Sequence, residues 1–132
     1  MKLLLDTHVL LWTIGNTAKL SRNVIKEIKN PENEILVSAV SLWEIALKVS
    51  LGKLTPGFEI KNIPEYCKEM EFELIPLEPA EVLNSSQLPQ KKDHKYPFDR
   101  IFIYQSINNN YTLVSTDTRM EIYRPDGLKY IC

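Results

Sequence analysis

The chain has 132 residues, a formal net charge of −1, 44% hydrophobic residues and 25% charged residues. That composition suits one soluble globular domain and excludes an intrinsically disordered segment, a collagen-like repeat and a disulfide scaffold. A chain of this size buries roughly two-thirds of its unfolded surface, so it needs no disulfide or metal merely to fold. Its apolar runs are too short and interrupted for a bilayer-spanning helix.

In chain order, Met1-Lys2-Leu3-Leu4-Leu5 starts as a secretion signal would, but Asp6 and His8 break the run and no small-residue cleavage site follows. Leu3 to Leu5 therefore reads as a buried first strand, followed by a short helix over Thr7 to Ile14. Ser21 to Lys29 reads as a helix, with Ser21 as N-cap and Asn30-Pro31 as its stop. Ile35-Leu36-Val37 is a second strand, and Ala39 to Leu51 a strong helix that ends at Gly52. A turn at Thr55-Pro56-Gly57 precedes a helix over Ile63 to Met70, and Phe72 to Leu77 has strand character. Pro79 to Leu88 is helical, with Pro79 suited to the first turn. A Lys-rich polar loop, Pro89 to Pro97, leads to a helix over Phe98 to Asn108. Thr112 to Ser115 is a strand, Thr118 to Tyr123 a short helix, and Leu128 to Ile131 the last strand.

Strands that alternate with helices and read as apolar runs point to an α/β fold with a parallel sheet covered on both faces. In such sheets ligands bind beyond the carboxyl ends of the strands. The two cysteines, Cys67 and Cys132, match no zinc spacing. Cys67 lies on the apolar face Ile63, Tyr66, Cys67, Met70, which reads as a core thiol in a reducing compartment and makes a cytoplasmic location the expectation.

Acids recur at the carboxyl edge of that sheet. Asp6 follows the first strand directly, and Asp117 follows Thr112 to Ser115 in the same way. Glu44 lies about two turns into the helix after the second strand, and Asp99 lies in the first turn of the helix after the Lys-rich loop. Each has a purely local explanation. Asp6 can cap a helix, Glu44 can pair with Lys48 at i+4, Asp99 can favour a helix's first turn, and Asp117 adjoins a passable capping box, Thr118-x-x-Glu121.

Together they ask for more. The residues of Ala39 to Leu51 are apolar nearly throughout, which predicts a helix buried almost all round, with Ser41, Glu44 and Lys48 on one narrow stripe. Two like charges at about 4 Å cost on the order of 4 kcal/mol at an effective dielectric of 20. A fold stable by only about 5–15 kcal/mol does not assemble such a cluster idly. A hard divalent cation such as Mg²⁺, which takes oxygen ligands, removes that cost and can polarise a phosphodiester. Of the 17 acidic residues, setting these four aside leaves 13 against 16 Lys and Arg, so the remainder carries +3. Lys91, Lys92, Lys95 and Arg100 flank Asp99, and Arg119 follows Asp117, which suits a phosphate backbone as well as it suits a solvated loop.

The segments Leu-Leu-Leu-Asp-Thr-His-Val-Leu-Leu-Trp (3–12), Val-Ser-Ala-Val-Ser-Leu-Trp-Glu-Ile-Ala-Leu-Lys (37–48), Pro-Phe-Asp-Arg (97–100) and Val-Ser-Thr-Asp (114–117) resemble the PIN-domain ribonucleases, and more closely the VapC-type toxins of bacterial type II toxin–antitoxin systems. The resemblance spans essentially the whole chain, and its specificity lies in the combination of segments. It implies one PIN domain over residues 1–132, a three-layer α/β/α fold around a mainly parallel sheet. It implies endonucleolytic RNA hydrolysis that depends on Mg²⁺ or Mn²⁺, with water attacking in line to leave a 3′-hydroxyl and a 5′-phosphate. It also implies a VapB-like antitoxin as partner, a homodimer, and no membrane. Asp6, Glu44 and Asp99 match the family's core metal-binding acids and Asp117 the more variable fourth. Thr7 and Thr116 fall where family hydroxyls orient ligands or substrate, and Lys95 and Arg100 are further candidates for substrate contact.

Relatives with the Asp-Thr-His start often carry an acid immediately before Pro-Phe-Asp-Arg; here that residue is Tyr96. A tyrosine there either stacks on a base or packs against the fold. His8 and His94 read chiefly as residues that orient a neighbour or fill a polar gap. Trp12 and Trp43 read as core or partner-interface residues. The competing readings are a receiver-like signalling module, which this chain fits poorly because its first strand ends in a single acid, and a PIN-like RNA- or protein-binding module without nuclease activity.

Overall fold

The computed structural model describes residues 1–132. Five parallel strands, β1 (Lys2–Leu5), β2 (Glu34–Ser38), β3 (Glu73–Ile75), β4 (Thr112–Val114) and β5 (Lys129–Ile131), form one sheet in the order β3-β2-β1-β4-β5. The helices are α1 (Thr7–Gly15), α2 (Arg22–Lys29), α3 (Ala39–Ser50), α4 (Ile63–Glu69), α5 (Pro79–Asn84) and α6 (Pro97–Asn109).

Strand pleating explains the three layers. Leu3 and Leu5 of β1, with Ile35 and Val37 of β2, enter one core with Val9 and Leu10 of α1, Val24 of α2 and Cys67 of α4. Leu4 and Leu36, between them in sequence, enter a second core on the opposite face, with Phe102 and Ile103 of α6, Leu113 and Tyr123. Apolar runs without alternation are thus required, because both faces of each central strand are covered. Parallel order and helical crossovers match the expected α/β class.

Local chemistry accounts for the element ends. The Ser21 hydroxyl accepts the Val24 N–H at 3.1 Å, the expected cap of α2. Pro97 occupies the first turn of α6, where a missing N–H costs nothing, and Asn110 ends the helix in the left-handed region at φ 57°. The helix expected over Pro79 to Leu88 is shorter: it becomes 3₁₀ from Ser85 to Gln87. The Ser85 and Ser86 hydroxyls there bond back to the carbonyls of Val82 and Leu83 and compete with the α pattern. The segment after β4 is likewise 3₁₀, from Thr118 to Asp126, and holds Pro125.

One expectation needs correction. α3 is not buried all round: Trp43 is 59% exposed and Leu47 39%, whereas Glu44 is 2% exposed and Ser41 fully buried. The polar stripe faces inward because it meets the first turn of α1 beyond the strand ends, where Thr7 approaches both Ser41 and Glu44. Trp43 instead packs edge-on against Phe98 of α6 at a centroid distance of 4.9 Å.

Candidate active site

The strand order places the site. From β1 the chain runs outward through β2 to β3, then crosses to the other side for β4 and β5. The switch point lies between β1 and β4, whose last residues Leu5 and Val114 are paired. Ligand sites of open α/β sheets lie beyond such a point. Here a polar cavity of about 170 Å³ opens, lined by Asp6, Thr7, His8, Glu44, Tyr96, Asp99, Thr116, Asp117 and Arg119. All four acids expected from the sequence meet there.

Each acid also keeps its local role. Asp6 caps α1 by accepting the Val9 N–H at 2.9 Å. Asp117 accepts the Arg119 N–H at 2.9 Å and holds the Arg119 side chain at 2.7 Å. Glu44 pairs with Lys48 at 2.7 Å. The capping and pairing explanations were therefore not alternatives to a shared site, because strand ends and first helical turns coincide at this edge.

The electrostatics divide the four into two kinds. Glu44 is saturated: Thr7 donates to Oε1 at 2.5 Å, and Lys48 and Tyr96 donate to Oε2 at 2.7 and 2.8 Å. Burial pushes its carboxyl up, but the Lys48, Thr7 and Tyr96 bonds outweigh burial and leave it below the ordinary value. Asp117 is held below the usual range chiefly by the Arg119 guanidinium. Asp6 and Asp99 have no Lys or Arg partner. Burial raises Asp6 to about 6, against the opposing Ser115 and Val9 hydrogen bonds. Asp99 is also raised, first by burial, with His94 opposing it and the Glu44 and Asp117 charges adding to it.

A buried and a half-buried carboxylate without a Lys or Arg partner, beside two more carboxylates, fit a hard divalent cation. The donor set passes that test on its chemistry. His94, Asp99 and Asp117 also bring one potential ligand atom each within 4.8 Å of one another.

The other candidates divide. Thr7 is buried and its hydroxyl is committed to Glu44, whereas Thr116 lines the cavity in an exposed position. Lys95 is exposed and stands outside the lining. Arg100 turns away: its guanidinium donates to the carbonyls of Leu88 and Pro89 at 2.8 and 3.1 Å and to the Tyr123 hydroxyl at 3.2 Å. It braces the loop before α6, since a guanidinium fork satisfies several carbonyls at once.

His94 and Tyr123 were underrated by sequence reasoning. His94 is 1% exposed and bonds Asp99 through Nε2 at 3.2 Å and Tyr123 through Nδ1 at 2.9 Å. The spacing of His94 to Asp99 was the one available signal, but Tyr123 comes from a distant segment. Of the two expectations for Tyr96 the structure shows packing against the fold: its hydroxyl donates to Glu44, and Lys48 lies 5.1 Å above its ring.

Comparison with known proteins bears on this geometry. The PIN domain family model matches residues 3–126, nearly the whole chain. The chain belongs to the PIN domain family. Among solved structures, this PIN domain is similar to VapBC2 from Rickettsia felis bound to a promoter DNA fragment, with 20% identity and a TM-score of 0.71 over 99% of this chain and 98% of that one. It is similar to VapBC-1 from nontypeable Haemophilus influenzae, with 14% identity and a TM-score of 0.70 over 99% and 97%. DNA-bound VapBC from Salmonella typhimurium gives 18% identity and a TM-score of 0.66 over 99% and 97%. At these identities the likeness establishes the PIN fold. No curated protein matches the chain.

Proposed function

We propose that this PIN domain is a divalent-metal-dependent endoribonuclease, the VapC-type toxin of a type II toxin–antitoxin pair. The observation that carries this reading is the convergence of Asp6, buried, and Asp99, half-buried, neither with a Lys or Arg partner, at the switch point of the sheet. Asp6, Asp99 and Asp117, with Glu44, would hold Mg²⁺, or Mn²⁺ in its place. When bound, that ion supplies Lewis acidity toward a phosphodiester and toward water.

The chain's own groups supply the rest. Glu44 is locked by three donors and sets the wall of the cavity. Thr116 and Arg119 at the rim, and Lys95 beyond it, offer donors and positive charge to a phosphate backbone. Arg119 is 59% exposed in its side chain, so its bond to Asp117 can be exchanged for a phosphate oxygen at little cost.

The solved relatives are VapBC assemblies, which supports a VapB-like antitoxin as the partner of this chain. The exposed apolar side chains Trp43 and Leu47 on α3, with Leu51 just after it, suit burial in such a complex or in a homodimer. No helix is long and apolar enough to cross a membrane, and a cytoplasmic site of action goes with this reading.

The test is RNA cleavage by metal-stripped protein with Mg²⁺, Mn²⁺ or EDTA, beside Asp6→Asn and Asp99→Asn. Divalent-dependent cleavage that both substitutions abolish is expected. The saturation of Glu44 favours a second reading, a binding module without nuclease activity, and folded wild type that cleaves no RNA with metal present would select it.

A further inference from the structure

We propose that His94 is a positioning residue for Asp99 and not a metal ligand, and that Tyr123 and Arg100 fix it in that role. The proposal rests on the reading of Asp99 as a metal-holding acid. His94, Asp99 and Asp117 lie close enough to be taken for a three-ligand site. The hydrogen-bond chain behind them argues otherwise.

Arg100 can only donate, so the Tyr123 hydroxyl accepts at 3.2 Å and its own proton is free to go elsewhere. Two acceptors are within reach, His94 Nδ1 at 2.9 Å and the His94 carbonyl at 3.4 Å. The nearer one takes the proton. Nδ1 is then the acceptor of the ring, and Nε2 carries the ring proton toward Asp99 Oδ2 at 3.2 Å. A carboxylate has no donor, so the same assignment is demanded from the other end. An Nε2 that carries a proton has no lone pair for a metal.

The relay is built to be rigid. His94 is 1% exposed and Tyr123 fully buried. Arg100 is anchored on the Leu88 and Pro89 carbonyls. The His94 N–H bonds the Lys91 carbonyl at 3.1 Å, which closes the loop that carries the ring. One oxygen of Asp99, a residue that lines the cavity, is thereby held by the ring. Hydrogen bonds of this kind to metal-binding side chains affect metal affinity by about 10–100-fold.

The experiment has three readouts on the whole chain. In ¹⁵N-histidine NMR of metal-free protein, His94 is expected as the Nε2–H tautomer, and Tyr123→Phe, which keeps the ring and removes only the hydroxyl, shifts its Nδ1 resonance. An Nδ1–H tautomer in wild type overturns the proposal. In Mn²⁺ titrations, His94→Ala is expected to weaken binding by about 10–100-fold, and His94→Gln, which retains an N–H donor, to recover most of it. Unchanged affinity in folded His94→Ala overturns the proposal; if His94→Ala does not fold, a Tyr123→Phe protein with unchanged Nδ1 resonance and unchanged Mn²⁺ affinity does so. In electron spin echo spectra of the Mn²⁺-loaded protein, no directly bound imidazole nitrogen is expected, and a coupled ¹⁴N that His94→Gln removes shows ligation instead. Wild type that binds no Mn²⁺ overturns the metal reading and this role with it. Mn²⁺ binding that depends on His94 in a protein that cleaves no RNA supports this role and overturns only the nuclease.

Discussion

The Tyr96 hydroxyl donates to Oε2 of Glu44 at 2.8 Å, joining the residue before α6 to the middle of α3. The resemblance to VapC-type toxins with an Asp-Thr-His start implies an acid at this position. In this chain the phenol removes a negative charge from the edge of the site and adds a donor to a buried carboxylate. Tyr96→Phe is expected to cost about 1 kcal/mol in urea denaturation, since Lys48 and Thr7 still hold Glu44. Tyr96→Asp is expected to cost more in metal-free protein and to tighten divalent binding by calorimetry, because a carboxylate then faces Glu44.

Asp6 makes metal-free stability fall as pH rises. Its folded pKa is raised from 3.8 to about 6, chiefly by burial, so the protonated form is the better buried one. Its contribution is fully present below 3.8 and lost as pH climbs through about 6. Asp6→Asn keeps a good N-cap and removes the charge. In EDTA it should be more stable than wild type by about 2–3 kcal/mol at pH 8, with the difference vanishing below pH 4. Urea curves across that range check it; equal stability at pH 8 contradicts the assignment.

A divalent cation should reverse that order. Binding to the folded state alone stabilises by about 2.7 kcal/mol when the free ion is at 100 times its dissociation constant. Thermal melts should therefore show Mg²⁺ or Mn²⁺ raising the melting temperature of wild type, with Asp6→Asn gaining less and Asp6→Asn/Asp99→Asn gaining nothing.

Cys67 should be silent in the native protein. Its side chain is fully buried among the residues of the first core, and burial pushes its thiol up. Cys132 is exposed. An aromatic disulfide reagent should label one thiol promptly and the second only with unfolding. Prompt labelling of both would show that α4 opens locally.

Much of the molecule was legible in order along the chain. The apolar runs at Leu3–Leu5, Ile35–Val37 and Leu113–Val114 marked central parallel strands, because a strand covered on both faces has no polar side. Asp6 and Asp117 followed those strands directly, and the rule that ligands bind beyond strand ends put both at one edge. Glu44 was readable as an acid about two turns into the helix after β2, and Asp99 as an acid in the first turn of α6.

Tertiary structure decided what surrounds each acid. The sequence marked the polar stripe of α3 but left open whether it meets solvent or a polar pocket, since periodicity tells which residues share a face and not what that face meets. Lys48 was visible as an i+4 partner of Glu44, but Thr7 and Tyr96 reach it from other elements. Arg100 belonged by sequence to the basic surround, yet its fork is spent on backbone carbonyls and Tyr123. The pairing of His94 with Tyr123 joins the loop before α6 to the segment after β4, a contact 29 residues apart. Composition and spacing set the type and order of the groups. Burial and hydrogen-bond partners, which depend on three-dimensional neighbours, set which carboxylates stand without a Lys or Arg partner.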